Sequence, residues 1–424
     1  MKIQNLKTKV SPFSGISLVN HYFNETGLTE LIDNELGQRV KYAGYQYGEI
    51  FRNLTNVFLS GGSVVEDIDS HLKEHLKSIP NNNVPSPDTV LRSLTELTTE
   101  NTEYISKSNT SYNFNINNKM NKLNIKSLKL TNQLNEDKEY DLDYDNQINA
   151  NKKWDAKKNY KKSTGYFPGI ATIENKIISI ENRDGNANVK FKQSNTLERT
   201  YNLLEDENIT INRSRMDAGS YSKEIIDVVD NHSKLFYIRA NKSSFLNQRL
   251  RNITNWTSVE INYKKYEVAS LPFTQFYEDR NYRLVIMREL TVDKQTNIFT
   301  QDAYKYRAIL TNDHDWSEKQ IIEFYNKRGT SEKIFDEMNN DFGWKHLPFS
   351  FLNQNNTFMI VTAIIKNFYN YMVNIVSSKF DKIKPTTRLK GFVFQFISVA
   401  GRWVYQGREW ILKLFTDKPY YQLI

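Results

Sequence analysis

The chain has 424 residues, 57 lysines and arginines against 49 aspartates and glutamates, a formal charge of +8, 13% aromatic residues and no cysteine. That length supports two or three hydrophobic cores, and the aromatic content argues against wholesale disorder. Disulfides and thiolate zinc sites are excluded, and the basic excess fits either a polyanion partner or a basic protein with none.

The first residues, "MKIQNLKTKVSPFSG", lack the apolar stretch of a secretory signal, so a cytoplasmic location is expected. Residues 13–100 read as helical. "GEIFRNLTNVFLSGG" and "VVEDIDSHLKEHLKSI" carry apolar residues at helical spacing, broken by Gly61-Gly62. In "VPSPDTVLRSL", Ser86 is an N-cap and Pro87 the first helical residue, and Thr89 and Arg92 share a face. That helix is either the reading helix of a helix-turn-helix unit or an ordinary capped helix, and the letters support both equally. Residues 1–110 form one helical region on this reading, and the Asn-, Lys- and Ser-rich stretch 111–138 a connector with one poor helix.

At "EYDLDYDNQI" the character changes. Asp141, Asp143 and Asp145 alternate, so a strand shows all three on one side and Leu142 and Tyr144 on the other. Such a face is costly unless the acids meet solvent or metal. The runs "GYFPGIATIE" and "KIISIENRDG" follow as strands, then a helix in "SNTLERTYNLLED", a strand ending at Asp217 in "TINRSRMDAGS", a helix from "YSKEIIDVVD" and the strand "KLFYIRA". Three strands, helix, strand, helix, strand is an α/β order. Residues 242–312, with "WTSVEINYKKYEVAS", "YRLVIMREL" and "YKYRAILTN", turn to β again and read as a β-rich insertion in a core spanning 139–345.

Beyond the insertion, Ser317 caps a helix, Gln320 closes the capping box and Trp316 staples onto Ile321. Spacings of three and four put Tyr325, Arg328 and Glu332 in one stripe of that helix, with Asp336 and Asn339, and Gly329 predicts a kink. The run Phe358–Val376 looks membrane-like until Lys366, Asn367, Asn370 and Asn374 are counted; it reads as a buried helix in a C-terminal helical region, 346–424, with no membrane association expected. There, "RLKGFVFQFISVAGRWVYQGREWILKLF" mixes aromatics with Arg388, Lys390, Arg402 and Arg408, a surface for either a second protomer or DNA.

Carboxylates from two strands and a helix can converge on two divalent cations and promote an in-line phosphoryl displacement with no covalent enzyme intermediate. The candidates are the face of Asp141, Asp143 and Asp145, then Asp217 and Glu332. No Ser-His-Asp set stands out, and the six histidines show no metal-ligand spacing. Among 49 acids, spacing alone singles out no triad.

The segments "DLDYDNQ", "KKSTGYFPG", "ENRDGNAN", "SRMDAGSYS" and "YNKRGTSEKIFDEM" stand in the order found in bacterial insertion-sequence transposases of the DDE type, which the chain resembles over about residues 139–350. The resemblance implies an α/β fold: an RNase H-like mixed sheet core interrupted by the β-rich insertion, flanked by helical N- and C-terminal regions, and closed by a Tyr-x2-Arg-x3-Glu-x6-Lys helix. It implies that Asp145, Asp217 and Glu332 are catalytic and hold two Mg²⁺ ions, for which Mn²⁺ can substitute, with Asp143 the alternative to Asp145. Tyr325 and Arg328 match residues that handle the DNA backbone. Asn339 departs from the pattern's lysine, a place that Lys333 or Lys345 could fill.

On the same resemblance, the helical N-terminal region, Arg92 included, binds the terminal inverted repeats. The core cleaves the element's ends, and the freed 3′-hydroxyl attacks target DNA. DNA is then the partner, a homodimer is expected because two ends must be joined, and the protein would be nucleoid-associated. The six lysines of "NKKWDAKKNYKKSTGY", Lys157, Lys158, Lys161 and Lys162 among them, would neutralise phosphates, where a solvated hairpin is the plain alternative. Trp256 would stack on an extruded base, unless it is a buried strand residue. The competing functions are an RNase H-fold nuclease without strand transfer and an inactive DNA-binding derivative.

Overall fold

A computed structural model describes residues 1–4, 8–40, 43–241, 243–273, 275–277, 279–290 and 304–424. Residues 242, 274, 278 and 291–303 of the predicted insertion, and 5–7 of the opening segment, lie outside the described residues.

Apolar residues at helical spacing give α1 (Ile16–Glu25), α2 (Leu28–Leu36) and α3 (Tyr47–Leu59), the last followed by Gly61 at φ 90°. In α4 (Pro87–Thr95) the Ser86 hydroxyl accepts from the Thr89 N–H at 3.2 Å, the expected cap, while Arg92 is exposed. A hairpin follows, β1 (Asn101–Ile105) and β2 (Ser111–Asn115), and then α5 (Asn118–Leu130). The core elements come next: β3 (Glu139–Asn146), β4 (Gly169–Ile173), β5 (Lys176–Arg183), α6 (Gln193–Glu205), β6 (Thr210–Met216), α7 (Lys223–His232) and β7 (Leu235–Arg239). The insertion supplies β8 (Thr257–Ile261), β9 (Lys264–Phe273), β10 (Tyr282–Leu290) and β11 (Tyr304–Thr311). After it come α8 (Glu318–Asn326), α9 (Thr330–Asp341) and the long α10 (Leu352–Ser377).

Among the described residues, eleven strands make one sheet in the order β1-β2-β5-β4-β3-β6-β7-β11-β10-β9-β8. Its centre, β5-β4-β3-β6-β7, is the RNase H-like core: β3 and β5 are antiparallel to β4, while β3, β6 and β7 run parallel. The insertion does not stand apart, because β11 pairs antiparallel with β7 and carries the same sheet outward. Alternation, shifted once by an irregularity at Ile178 of β5, sorts the core strands between two hydrophobic clusters. Ile170, Ile177 and Ile180 join the N-terminal helices, α9 and α10, whereas Ala171, Ile173 and Ile178 join α6 and α7.

The stretch 111–138, expected to be a connector, is half of a hairpin and a well-buried helix. Its asparagines are polar in composition but carry out the pairing of a strand. Among the described residues β2 meets β5 only at Asn182 and Arg183, and the rest of that edge has no strand partner. Asn121 closes it by donating to the Ile180 carbonyl at 3.0 Å and accepting from the Ile180 N–H at 3.0 Å. Asn367 of α10 does the same for Ile177, at 2.8 and 3.1 Å, and Asn124 donates to the carbonyls of Ile177 and Ile178. Covering an open edge in this way also removes a template for aggregation.

Of the polar residues that spoil the membrane-like run, Asn367 therefore faces β5, Asn370 donates to the Asn175 carbonyl just before it, and Asn374 is exposed. Lys366, fully buried, donates to the Asn175 carbonyl, and burial holds its ammonium down at about 8. Among the described residues no helix is long and apolar enough to cross a membrane. Replacing Asn367 by leucine should leave the Ile177 N–H without its partner in a dry interface, while the carbonyl keeps Asn124, and cost about 1–3 kcal/mol, measured by urea unfolding.

The C-terminal region is helical at first but not throughout. Gly401–Gln406 and Glu409–Leu414 form a hairpin, because aromatic and β-branched residues alternate there. Gly407 at φ 64° and Arg408 at φ 69° supply the two left-handed residues that a type I′ turn needs.

Candidate active site

Asp141, Asp143 and Asp145 do share one face of β3, and β6 answers them in parallel register. Asp141 lies opposite Arg213 and Asp143 opposite Arg215. The first pair is loose, at 3.7 Å; the second is bidentate, both contacts at 2.7 Å, with Asp143 only 2% exposed. Arg215 also donates to the Phe324 carbonyl of α8 at 2.9 Å. Both oxygens of Asp143 are thus consumed. Two residues further on, the pattern changes: Tyr144 lies opposite Met216, and the next residues are Asp145 and Asp217. An aspartate stands where the ladder would otherwise have a third arginine.

These two carboxylates line one cleft of about 480 Å³, with Tyr112, Tyr160, Phe167 and the 185–189 loop. Burial raises the Asp145 pKa; Arg328 then pulls it down, and Asp217 pushes it up again. Asp217 caps a single helical turn by accepting from the Gly219 N–H at 2.8 Å. Sequence reading missed Arg213 and Arg215, although a signal existed. "RSRMD" repeats the period-two pattern of "DLDYD", and overlaying the two gives two ion pairs and one acid pair.

The capping box of α8 forms as expected, Ser317 with Gln320, and Trp316 packs in the same cluster as Ile321. Tyr325 is buried, its hydroxyl donating to the Met216 carbonyl at 3.2 Å, so it clamps the end of β6 next to Asp217. Arg328 donates to Asp145 at 2.9 Å. The kink expected at Gly329 is a full break: Lys327–Gly329 form a 3₁₀ turn between α8 and α9. That break ends the common stripe, since three residues per turn do not preserve the phase of 3.6. Glu332 lies exposed on α9, without an ion-pair partner among the described residues. Asp336 and Asp341 of α9 bind Arg388, one of the C-terminal cations.

Asp145 and Asp217 suit a divalent cation, being hard oxygen donors from neighbouring strands that line one cleft. Glu332 does not join them: among the described residues, no three acidic or histidine side chains stand close enough to hold a metal.

The lysine segment folds into a small sheet of Asn149–Ala150, Lys157–Lys158 and Thr164–Tyr166, with Lys157, Lys158, Lys161 and Lys162 all exposed. It sits backbone to backbone on the end of β5: a Cβ on Gly185 would come within 2.3 Å of the Gly165 carbonyl oxygen. Asp184-Gly185 forms a turn, and the same glycine permits that close approach. Trp256 is half-buried, its ring covered by the Arg288 guanidinium at 4.0 Å and its indole N–H given to the Ile253 carbonyl. On the far side of Tyr325, a second cavity of about 340 Å³ is lined by Arg239, Lys305 and Arg307, cations that pattern reading did not single out.

A sheet of this order, with an aspartate at the end of each of its two central parallel strands, has the RNase H-like arrangement. The chain matches the family described as "Transposase DDE domain group 1" over residues 2–424 and belongs to that family; it is a DNA transposase. Members of the family generally use divalent metal ions. Among solved structures it is similar to a piggyBac transposase, seen in a synaptic complex with hairpin DNA. The two are 14% identical with a TM-score of 0.42, over 91% of this chain and 79% of that one. No curated protein matches.

Proposed function

We propose that this transposase cleaves the ends of its own element by metal-dependent hydrolysis and joins the freed 3′-hydroxyl to target DNA. The observation that carries the reading is that Asp145 and Asp217, which follow the last paired residues of β3 and β6, line one cleft. Asp145 and Asp217 would hold the ions, two Mg²⁺ or Mn²⁺ in their place, and Glu332 would complete the set through a change of backbone at Lys327–Gly329. When bound, the ions supply charge that activates the attacking oxygen and stabilises the leaving one.

The chain's own groups do the rest. Tyr325 holds the end of β6, and with it Asp217, in place. Arg328 is within reach of a phosphate entering beside Asp145. Lys157, Lys158, Lys161 and Lys162 on one side, and Arg239 and Lys305 on the other, offer the DNA backbone a basic track. The N-terminal helices, Arg92 included, would read terminal inverted repeats, and two protomers would hold two ends near the nucleoid in the cytoplasm. Trp256, its ring occupied by Arg288, is the weaker choice for base stacking.

The test supplies a duplex of the element's end with and without Mg²⁺, then the same duplex pre-cleaved to expose the 3′-hydroxyl. Metal-dependent cleavage and joined product support the reading. Cleavage without joining leaves a nuclease, and neither leaves an inactive DNA-binding derivative. Changing Lys157, Lys158, Lys161 and Lys162 together to glutamine should flatten the slope of log affinity against log salt by about 3 to 4, since each neutralised phosphate accounts for about 0.9 of that slope.

A further inference from the structure

We propose that Arg183 and Lys190 are positioning residues for Asp217: Arg183 from within the core, and Lys190 from nearer the surface, hold the 185–191 loop on the turn that Asp217 caps. This rests on the metal-binding role proposed for Asp217 above and names what aims its carboxylate.

Arg183 ends β5 and is only 1% exposed, yet among the described residues no carboxylate pairs with it. Its Nε donates to the Phe167 carbonyl at 2.9 Å, and Nη1 reaches the carbonyls of Val189 and Phe191 at 3.3 and 3.4 Å. Nη2 has no hydrogen-bond partner among the described residues. The Phe114 and Phe167 rings lie 5.5 and 5.0 Å from the guanidinium. A charge met in the interior only by carbonyls and rings is costly, and an apolar side chain of similar length would fill the place at lower cost. What the guanidinium adds is a rigid fork of donors that can fasten separate stretches of backbone. Here it fastens the residues before β4 to the loop that follows β5.

That loop lies on the Asp217 turn. A Cβ on Gly219 would come within 2.9 Å of a Val189 methyl, so the loop rests on the backbone whose N–H Asp217 accepts. Lys190, half-buried, spans the same join, its ammonium donating to the Tyr221 carbonyl at 2.6 Å. Gln193 adds a bond from its amide to the Ser220 hydroxyl at 2.7 Å. Burial lowers the Lys190 pKa and the Asp217 carboxylate raises it, so the two charges act on each other. The far end of the loop is anchored by Phe191, whose ring packs against Tyr104, Tyr112 and Phe114. Asp145 is gripped directly by Arg328, but among the described residues Asp217 accepts a hydrogen bond from the Gly219 N–H alone. Its aim therefore depends on the turn staying in place.

Both supports are cations beside a carboxylate that would hold a cation, which gives the test its sign. Acting through charge alone, either one would hinder metal entry, and its removal would tighten binding. Acting by position, its removal weakens binding. The experiment uses the full chain and reads Mn²⁺ binding from the loss of the free-ion EPR signal, then cleavage of an end duplex against Mg²⁺ concentration. Lys190→Met and Arg183→Met should each weaken Mn²⁺ binding about 10- to 100-fold, the usual effect of removing a support behind a metal ligand. The Mg²⁺ needed for half-maximal cleavage should rise by the same factor, with duplex affinity, measured without metal, inside about threefold of wild type. Lys190→Arg keeps a donor for the Tyr221 carbonyl and should bind Mn²⁺ like the wild type. Lys190→Met decides alone if Arg183→Met does not fold, because its site is half exposed. Mn²⁺ binding that is unchanged or tighter in the folded variants overturns the proposal. So does a Lys190→Met that loses duplex affinity and salt dependence with Mn²⁺ binding intact, the mark of a phosphate contact. A wild type that neither binds Mn²⁺ nor cleaves removes the metal-binding role of Asp217, and this inference with it.

Discussion

Asp217→Asn is expected to lose strand cleavage by about three orders of magnitude or more while end binding stays within about threefold. Asparagine is the informative substitution because it keeps an oxygen for the Gly219 N–H and removes only the charge. The carboxylate it replaces pushes the neighbouring Asp145 toward its neutral form, so its loss relieves repulsion. Thermal stability should therefore hold or rise, the usual relation between a strained functional site and the fold that carries it. Asp217→Ala should be equally inactive but less stable by about 1 kcal/mol, because the cap is lost as well. Wild-type cleavage rates in Asp217→Asn would remove Asp217 from the reaction.

The second large effect is on stability. Arg215→Met strands the Asp143 carboxylate in a nearly dry interior and breaks the bond from β6 to the Phe324 carbonyl of α8. Breaking one side of a buried pair costs about 3–5 kcal/mol, whereas replacing both sides by apolar residues is often close to neutral. Urea unfolding should show that loss in Arg215→Met and recover most of it in Asp143→Leu with Arg215→Met. A cost under about 1 kcal/mol for the single change would mean that the pair is not what holds β3 to β6. The same comparison separates two neighbours that spacing alone cannot. Asp143→Asn should be damaged in folding, and Asp145→Asn in cleavage with the fold intact.

Much of the fold is legible in the letters, for local reasons. Ser86-Pro87 and Ser317 with Gln320 mark helix starts because caps are satisfied within a few residues. The strands of the core and of the insertion declare themselves by β-branched and alternating residues. Register is harder, because it depends on which strand becomes the neighbour. The asparagines of 118–130 look like loop composition, and only the bare edge of β5 gives them a purpose. The stripe of Tyr325, Arg328 and Glu332 fails differently. A helical wheel assumes an unbroken helix, and one glycine with its neighbours turns Lys327–Gly329 to a tighter pitch. Arg328 reaches Asp145 all the same, while Glu332 is carried away from it. Trp256 is an open choice between a strand residue and a base platform in the letters, and Arg288, far along the chain, occupies the face that a base would need.

The seam between β7 and β11 has a consequence for how such a protein can change. Among the described residues β8, at the outer rim, pairs on one side only, so residues altered there disturb a single ladder far from the acids in the sheet order. New surface for a different DNA end can be grown at that rim. The seam is another matter: β7 is bonded to β6, whose end delivers Asp217, so a slip of one residue at the join would be felt in the cleft that holds Asp145 and Asp217. The molecule is free to vary at its margin because it is stitched tightly at its middle.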